Sequence, residues 1–128
     1  MRLLLDTHLL LWGQISPKRL SRQARGLIAD EGTRLVFSTI SVAEIAIKYA
    51  LRRPDFEVDP EVVRDALLEN GYEELALTGE HALRLRDLPP IHRDPFDRLL
   101  IAQAMAERID LLTNDGTLAR YGGRVRLV

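Results

Sequence analysis

The 128-residue chain reads as an α/β protein, a three-layer α/β/α arrangement with a central, mostly parallel five-stranded sheet. Three observations predict it. The runs "RLLLD" (2–6) and "RLVFST" (34–39) are short and continuously apolar, as strands buried on both faces require. Segments with helical caps and stops lie between the strands, so the two types alternate along the chain. No internal repeat, low-complexity tract or linker divides the sequence, and its length suits one domain, residues 1–128, with a real core.

The elements follow in order. After the first strand, "THLLLWGQ" begins a short helix with Thr7 as its expected cap, and "SRQARGLIADEG" (21–32) forms a helix ending at Gly32. The second strand, 34–39, leads to a helix over "SVAEIAIKYALRR" (41–53), stopped before Pro54. "DPEVVRDALLENG" (59–71) carries a cap at Asp59, proline at the first helical position and a terminal glycine. "YEELAL" (72–77) is a third strand, and "TGEHALRLRDL" (78–88) a helix ended by a double proline. "DPFDRLLIAQAMAERI" (94–109) is the strongest helix; "DLLTND" (110–115) and "RVRLV" (124–128) complete the sheet.

Composition narrows the class. The chain has no cysteine, which excludes a disulfide scaffold and thiolate metal sites and fits a reducing cytoplasm. It shows neither a signal-peptide pattern nor an apolar run long enough to span a bilayer, so a cytoplasmic protein without a membrane partner is expected. The net charge of −1 carries no polycation signal. Nearly all the positive charge is arginine, the better bidentate phosphate ligand, with lysine only at Lys18 and Lys48.

One residue of "HRDPFDRLLIAQA" (92–104) looks misplaced. Asp97 shares a helical face with Ile101 and Ala104, at i+4 and i+7, and so points toward the core, where an unpaired carboxylate is costly. In an open α/β sheet, ligands bind beyond the carboxyl ends of the strands where the strand order reverses. Asp6 closes the first strand and Asp115 the fourth; Glu44 lies in the first turn of the helix after the second, and Asp97 in the first turn of the helix before the fourth. Together in one pocket these four acids would repel, and a hard divalent cation, Mg²⁺ or Mn²⁺, resolves the conflict with oxygen ligands. Such a site can activate water and stabilise charge in phosphodiester hydrolysis.

Each acid also has a structural reading. Asp6 could cap the following helix, and Asp115 could belong to a turn with Asn114 and Gly116. Ser41-x-x-Glu44 is a capping box, and Glu44 could pair with Lys48 at i+4; pattern alone favours the cap. Asp94-Pro95 reads as a cap followed by proline. His8 and His92 lie near the acids in sequence without metal-ligand spacing, and His81 sits in a surface-type helix. Trp12 ends the run Leu9-Leu10-Leu11-Trp12, which spans about 300° of helical arc, more than one sheet face covers. The remainder is burial under neighbouring helices, a partner groove or a dimer contact.

Taken together, "LLLDTHLLLW", "STISVAEIAIK", "HRDPFDRLLIAQA" and "LLTND" resemble, in order and spacing, the PIN-domain ribonucleases, most closely the VapC-like toxins of type II toxin–antitoxin pairs. The resemblance covers nearly the whole chain. It implies an endoribonuclease dependent on Mg²⁺ or Mn²⁺, with Asp6, Glu44, Asp97 and Asp115 as the acidic set. Thr7 and Thr113 match hydroxyl positions beside those acids. It further implies products with 5′-phosphate and 3′-hydroxyl ends, a homodimer, and a small antitoxin whose C-terminal peptide covers the active-site groove. Cleavage needs an exposed backbone, so single-stranded or loop RNA is the expected target rather than duplex. Arg52, Arg53, Arg93 and Arg98, close to the motifs in sequence, are the candidate RNA contacts, with solvated surface charge as the competing role for each. An RNA-processing nuclease without an antitoxin and a non-catalytic α/β interaction module are the alternatives; the second gives the four positions no reason to be jointly acidic. A receiver-type signalling domain fits poorly, since its mid-chain acids, Asp55 and Asp59, sit beside prolines and no lysine follows Lys48.

Overall fold

Leu3, Leu4 and Leu5 are completely excluded from solvent, and so are Val36, Phe37, Leu111 and Leu112. Consecutive strand residues point to opposite faces, so both faces of the sheet must be covered. The computed structural model, which describes residues 1–128, shows how. Five strands, β1 (Arg2–Leu5), β2 (Arg34–Ser38), β3 (Glu73–Leu75), β4 (Asp110–Thr113) and β5 (Val125–Leu127), pair in the order β3-β2-β1-β4-β5. Every pairing is parallel, with Leu4 opposite Val36 on one side and Leu111 on the other. The sheet is thus all parallel.

Strand alternation divides the core in two. Leu3, Leu5, Phe37 and Leu112 pack on one face beneath α1 (Thr7–Ile15), α2 (Arg22–Ala29), α3 (Thr39–Ala50) and α4 (Pro60–Glu69). Leu4, Val36 and Leu111 pack on the other against α6 (Pro95–Glu107), which contributes Leu100, Ile101, Ala102 and Ala104, and α7 (Gly116–Ala119), which contributes Leu118. The short helix α5 (Gly79–Leu83) lies against α6.

The boundaries depart from the sequence pattern where side chains compete for the backbone. Asp6, not Thr7, caps α1, accepting the Leu9 amide. α2 ends at Ala29 rather than Gly32, and the Asp30 carboxylate then accepts the Gly32 amide in a turn. α3 starts at Thr39, capped by Ser38, so Ser41 lies inside the helix and the capping box with Glu44 does not form. It stops at Ala50, three residues before the expected end, and Arg52 turns into the left-handed region at φ 50°. The expected helix over 78–88 divides into α5 and a 3-10 turn, Arg84–Asp87. α7 has no counterpart in the sequence reading. Asp59 and Asp94 cap α4 and α6 as their proline-following pattern predicts.

Strand order reverses between β1 and β4. α6 returns the chain to the start of β4, and its 13 residues, about 20 Å of helix, place its first turn at the carboxyl edge of the sheet. That geometry brings Asp97 to the edge where β1 and β4 end.

Candidate metal centre and active site

Four helices begin at this edge. Asp6 caps α1, Ser38 caps α3, Asp94 caps α6 and Asp115 caps α7. Unpaired amides and aligned peptide dipoles make a helix N-terminus favourable to negative charge, and so support acids that would otherwise be expelled from a half-buried site. Asp6 does cap the following helix, and capping engages one oxygen of its carboxylate. Asp6 Oδ1 accepts the Leu9 amide at 2.9 Å, and Oδ2 accepts the hydroxyl of Thr113. Asp115 Oδ1 likewise accepts the Thr117 amide at 2.8 Å, leaving Oδ2 turned toward the site.

Glu44 is buried despite its charge, at 3% exposure. Freed from a capping role, it reaches across to α1, where the Thr7 hydroxyl donates to Oε1 at 2.8 Å; the Ser41 hydroxyl lies 2.9 Å from that of Thr7. Lys48 donates to Oε2 at 2.9 Å, the i+4 pairing its spacing suggested. Thr7 and Thr113 thus each orient one acid, Glu44 and Asp6 respectively.

Asp97 differs from both. No protein hydrogen bond engages its carboxylate; its nearest cationic-type neighbour is His92 Nε2, 3.6 Å from Oδ2. Burial pushes its carboxyl up to about 7, and the charges of Asp94, Glu44 and Asp6 add to the shift, with His92 opposing it. Asp6 is also raised, mainly by burial, against the bonds from Thr113 and Leu9 and with Asp115 repelling it. In Asp115 burial is outweighed by the Thr117 amide and His92, so its carboxyl lies below the usual range. Asp97 is thus repelled by Asp94, Glu44 and Asp6, and Asp6 in turn by Asp115. The donor set fits a hard divalent cation: carboxylate oxygens dominate, and one of them, on Asp97, is unsatisfied and costly to ionise without added positive charge.

Some expected residues lie elsewhere. Arg52 and Arg53 are exposed beyond the last turn of α3, about 12 Å along the helix axis from Glu44. Arg93 is exposed and adjoins the site in sequence. The Arg98 guanidinium is turned to the Leu85 and Leu88 carbonyls, at 3.5 and 3.3 Å, and so holds the 84–88 turn rather than facing the acids. His81 is not a surface residue: it is 3% exposed, accepts the Thr78 amide and contacts Gln103 and Glu107 of α6. His92, which sequence spacing left outside the set, sits within it. Its Nε2 lies 3.4 Å from Asp115 Oδ2, and ligand-type atoms of His92, Asp97 and Asp115 all fall within 4.8 Å of one another. No sequence signal marked it; the turn before Asp94 brings its ring beside the first turn of α6.

Residues 3–124 match the family model described as PIN domain. Among solved structures, the chain is similar to VapBC2 from Rickettsia felis bound to a promoter DNA fragment, with TM-score 0.73 and 18% identity over 100% of this chain and 98% of that one. It is similar also to a toxin–antitoxin complex from Klebsiella pneumoniae, with TM-score 0.65 and 19% identity over 96% and 94%. VapBC-1 from nontypeable Haemophilus influenzae aligns with TM-score 0.64 and 20% identity over 99% and 98%. At these identities the likeness is one of fold. A comparison with curated protein sequences finds no significant match.

Proposed function

The chain belongs to the PIN-domain family, a family of nucleases, and from that premise we propose that it is a divalent-cation-dependent endoribonuclease, the toxin of a type II toxin–antitoxin pair. The observation that supports the reading is the acidic cluster at the switch point of the sheet, where His92, Asp97 and Asp115 offer ligand-type atoms within 4.8 Å of one another and the charges of Asp6 and Glu44 act on Asp97. Asp6, Glu44, Asp97 and Asp115 would hold Mg²⁺ or Mn²⁺. Bound there, the cation would supply water activation and offset negative charge building on the scissile phosphate.

The remaining work falls to the chain itself. Thr113 and the start of α1 fix the Asp6 carboxylate, and Thr7 with Lys48 fixes Glu44, so neither must reorganise as charge develops. Asp97 and Asp115, at 13% and 39% side-chain exposure, form the open side of the site and would face the substrate backbone. A shallow edge of this kind takes a backbone that can be laid across it, which favours single strands and loops over the narrow groove of duplex RNA. Arg93 is the arginine placed to offset repulsion between the acids and a phosphate chain.

The antitoxin proposal is supported by the fold's likeness to chains from toxin–antitoxin complexes. The first helix leaves limited apolar surface for a partner: Leu9 and Leu10 are buried, Trp12 lies under the Arg19 guanidinium at 4.5 Å, and Ile15 is exposed. A homodimer is proposed, and sedimentation at micromolar concentration showing only monomer would remove it. For the activity, purified protein is incubated with mixed single-stranded RNA, with Mg²⁺ or with chelator, beside Asp97→Asn. Cutting that needs Mg²⁺ and disappears in the folded mutant is expected; equal cutting by the mutant would exclude Asp97 from the site.

A further inference from the structure

His92 stands among these acids with its ring held from behind. Its Nδ1 accepts the backbone N–H of Asp94 at 3.0 Å, and its own backbone N–H donates to the Tyr121 hydroxyl at 2.9 Å. The ring's other nitrogen, Nε2, faces Asp115 Oδ2 and Asp97 Oδ2 at 3.4 and 3.6 Å. By composition, this His-Asp-Asp group would pass for a mixed nitrogen–oxygen metal site.

The direction of the hydrogen bonds argues otherwise. A ring nitrogen that accepts a hydrogen bond carries no proton, so the imidazole proton belongs on Nε2. A metal needs the lone pair of an unprotonated nitrogen. For Nε2 to become a ligand, the proton would have to move to Nδ1, where it would meet the Asp94 amide hydrogen head-on. That amide has little freedom to withdraw. The Asp94 carboxylate caps α6 through the Phe96 and Asp97 amides, at 2.8 and 3.4 Å, and Pro95 opens the helix immediately after it.

We infer that His92 is a hydrogen-bond donor in this site and not a metal ligand, a positioning residue whose Nε2–H holds the Asp115 carboxylate in place beside Asp97. The inference rests on the reading of the four acids as a cation site and specifies how that site is held. It leaves the cation an all-oxygen protein donor set, and gives the turn 92–94 its purpose: Tyr121 and the Asp94 amide aim the ring, and the ring holds Asp115 toward Asp97.

The test uses the full chain labelled with ¹⁵N-histidine. Long-range proton–nitrogen correlation spectra report which ring nitrogen carries the proton, with His92 identified by its loss in His92→Gln. The Nε2–H tautomer is expected both without metal and at saturating Mg²⁺. Calorimetric titration with Mg²⁺ supplies the second readout. His92→Ala should weaken binding about 10–100-fold, the range typical of partners that orient metal ligands, and His92→Gln, whose amide keeps a donor at similar reach, should recover most of it. An Nδ1–H ring in a chain that does bind Mg²⁺ would overturn the inference alone. Alanine binding as tightly as wild type, or glutamine as weakly as alanine, would also overturn it. Failure of the wild-type chain to bind Mg²⁺ would remove the site and the inference together.

Discussion

The two edges of the sheet treat charge in opposite ways. At the amino edge, where the strands begin, each of two acids is matched by two arginines: Arg2 and Arg34 pair with Glu73, and Arg124 and Arg126 pair with Asp110. At the carboxyl edge Lys48 pairs with Glu44 and His92 stands beside Asp97 and Asp115, while Asp6 and Asp94 have no cationic partner; the cost is visible in the raised carboxyls of Asp6 and Asp97. The same fold that supplies arginine in excess at one edge leaves the other short of positive charge. The difference separates charge that serves stability from charge that costs it, which the proposed function assigns to a ligand.

Removing the unbalanced charge should have the largest effect. Asp97→Asn keeps the shape of the side chain and is expected to lower RNA cleavage about 1000-fold, equivalent to about 4 kcal/mol of transition-state stabilisation, in a chain whose circular dichroism is unchanged. Retained cleavage would show that the crowded edge is not the working one.

Next comes the stability of the metal-free chain. A carboxyl at about 7 when folded and 3.8 when unfolded binds its proton more tightly in the folded state. Between those pH values the folded chain holds a proton that the unfolded chain lacks. Stability from Asp97 therefore falls as pH rises from about 4 to about 7 and stays low above. The full span amounts to about 4 kcal/mol at 1.36 kcal/mol per pH unit. Chelator-treated protein should thus gain stability when Asp97 is replaced by Asn, at pH 8 but not at pH 4, in urea titrations. Mg²⁺ should raise Tm more at pH 8 than at pH 5, and an equal rise at both would mean that the cation binds away from Asp97.

The matched edge should respond least. Its pairs are partly exposed, and such pairs contribute less than about 1 kcal/mol each. Glu73→Gln removes two such pairs and is expected to lower stability by no more than about 2 kcal/mol and to leave cleavage rates at the wild-type value. A large loss of activity would show that the two edges are coupled through the strands.

Most of the sheet was legible in the sequence because strands buried on both faces leave an unbroken apolar run, as at Leu3–Leu5, and because Pro60 and Pro95 mark helix starts. The four acids could be grouped from topology, since a parallel sheet brings strand ends and helix starts to one edge. What stayed hidden depended on competition or on distant contacts. Ser38 and Ser41 both suit a cap, and only the end of β2 decides for Ser38; that choice releases Glu44 to meet Thr7. α7 is too short for any periodicity, so Asp115 read as a turn residue rather than a cap. His81 and His92 acquire their surroundings from elements more than 20 residues away, which no local pattern encodes.

The central claim is most directly tested by titrating metal-free protein with Mn²⁺ at pH 8 by calorimetry, beside Asp6→Asn, Glu44→Gln, Asp97→Asn and Asp115→Asn. Saturable binding that every one of the four substitutions weakens is the predicted result. Binding of equal affinity in the wild-type chain and all four variants would show that these carboxylates share no cation.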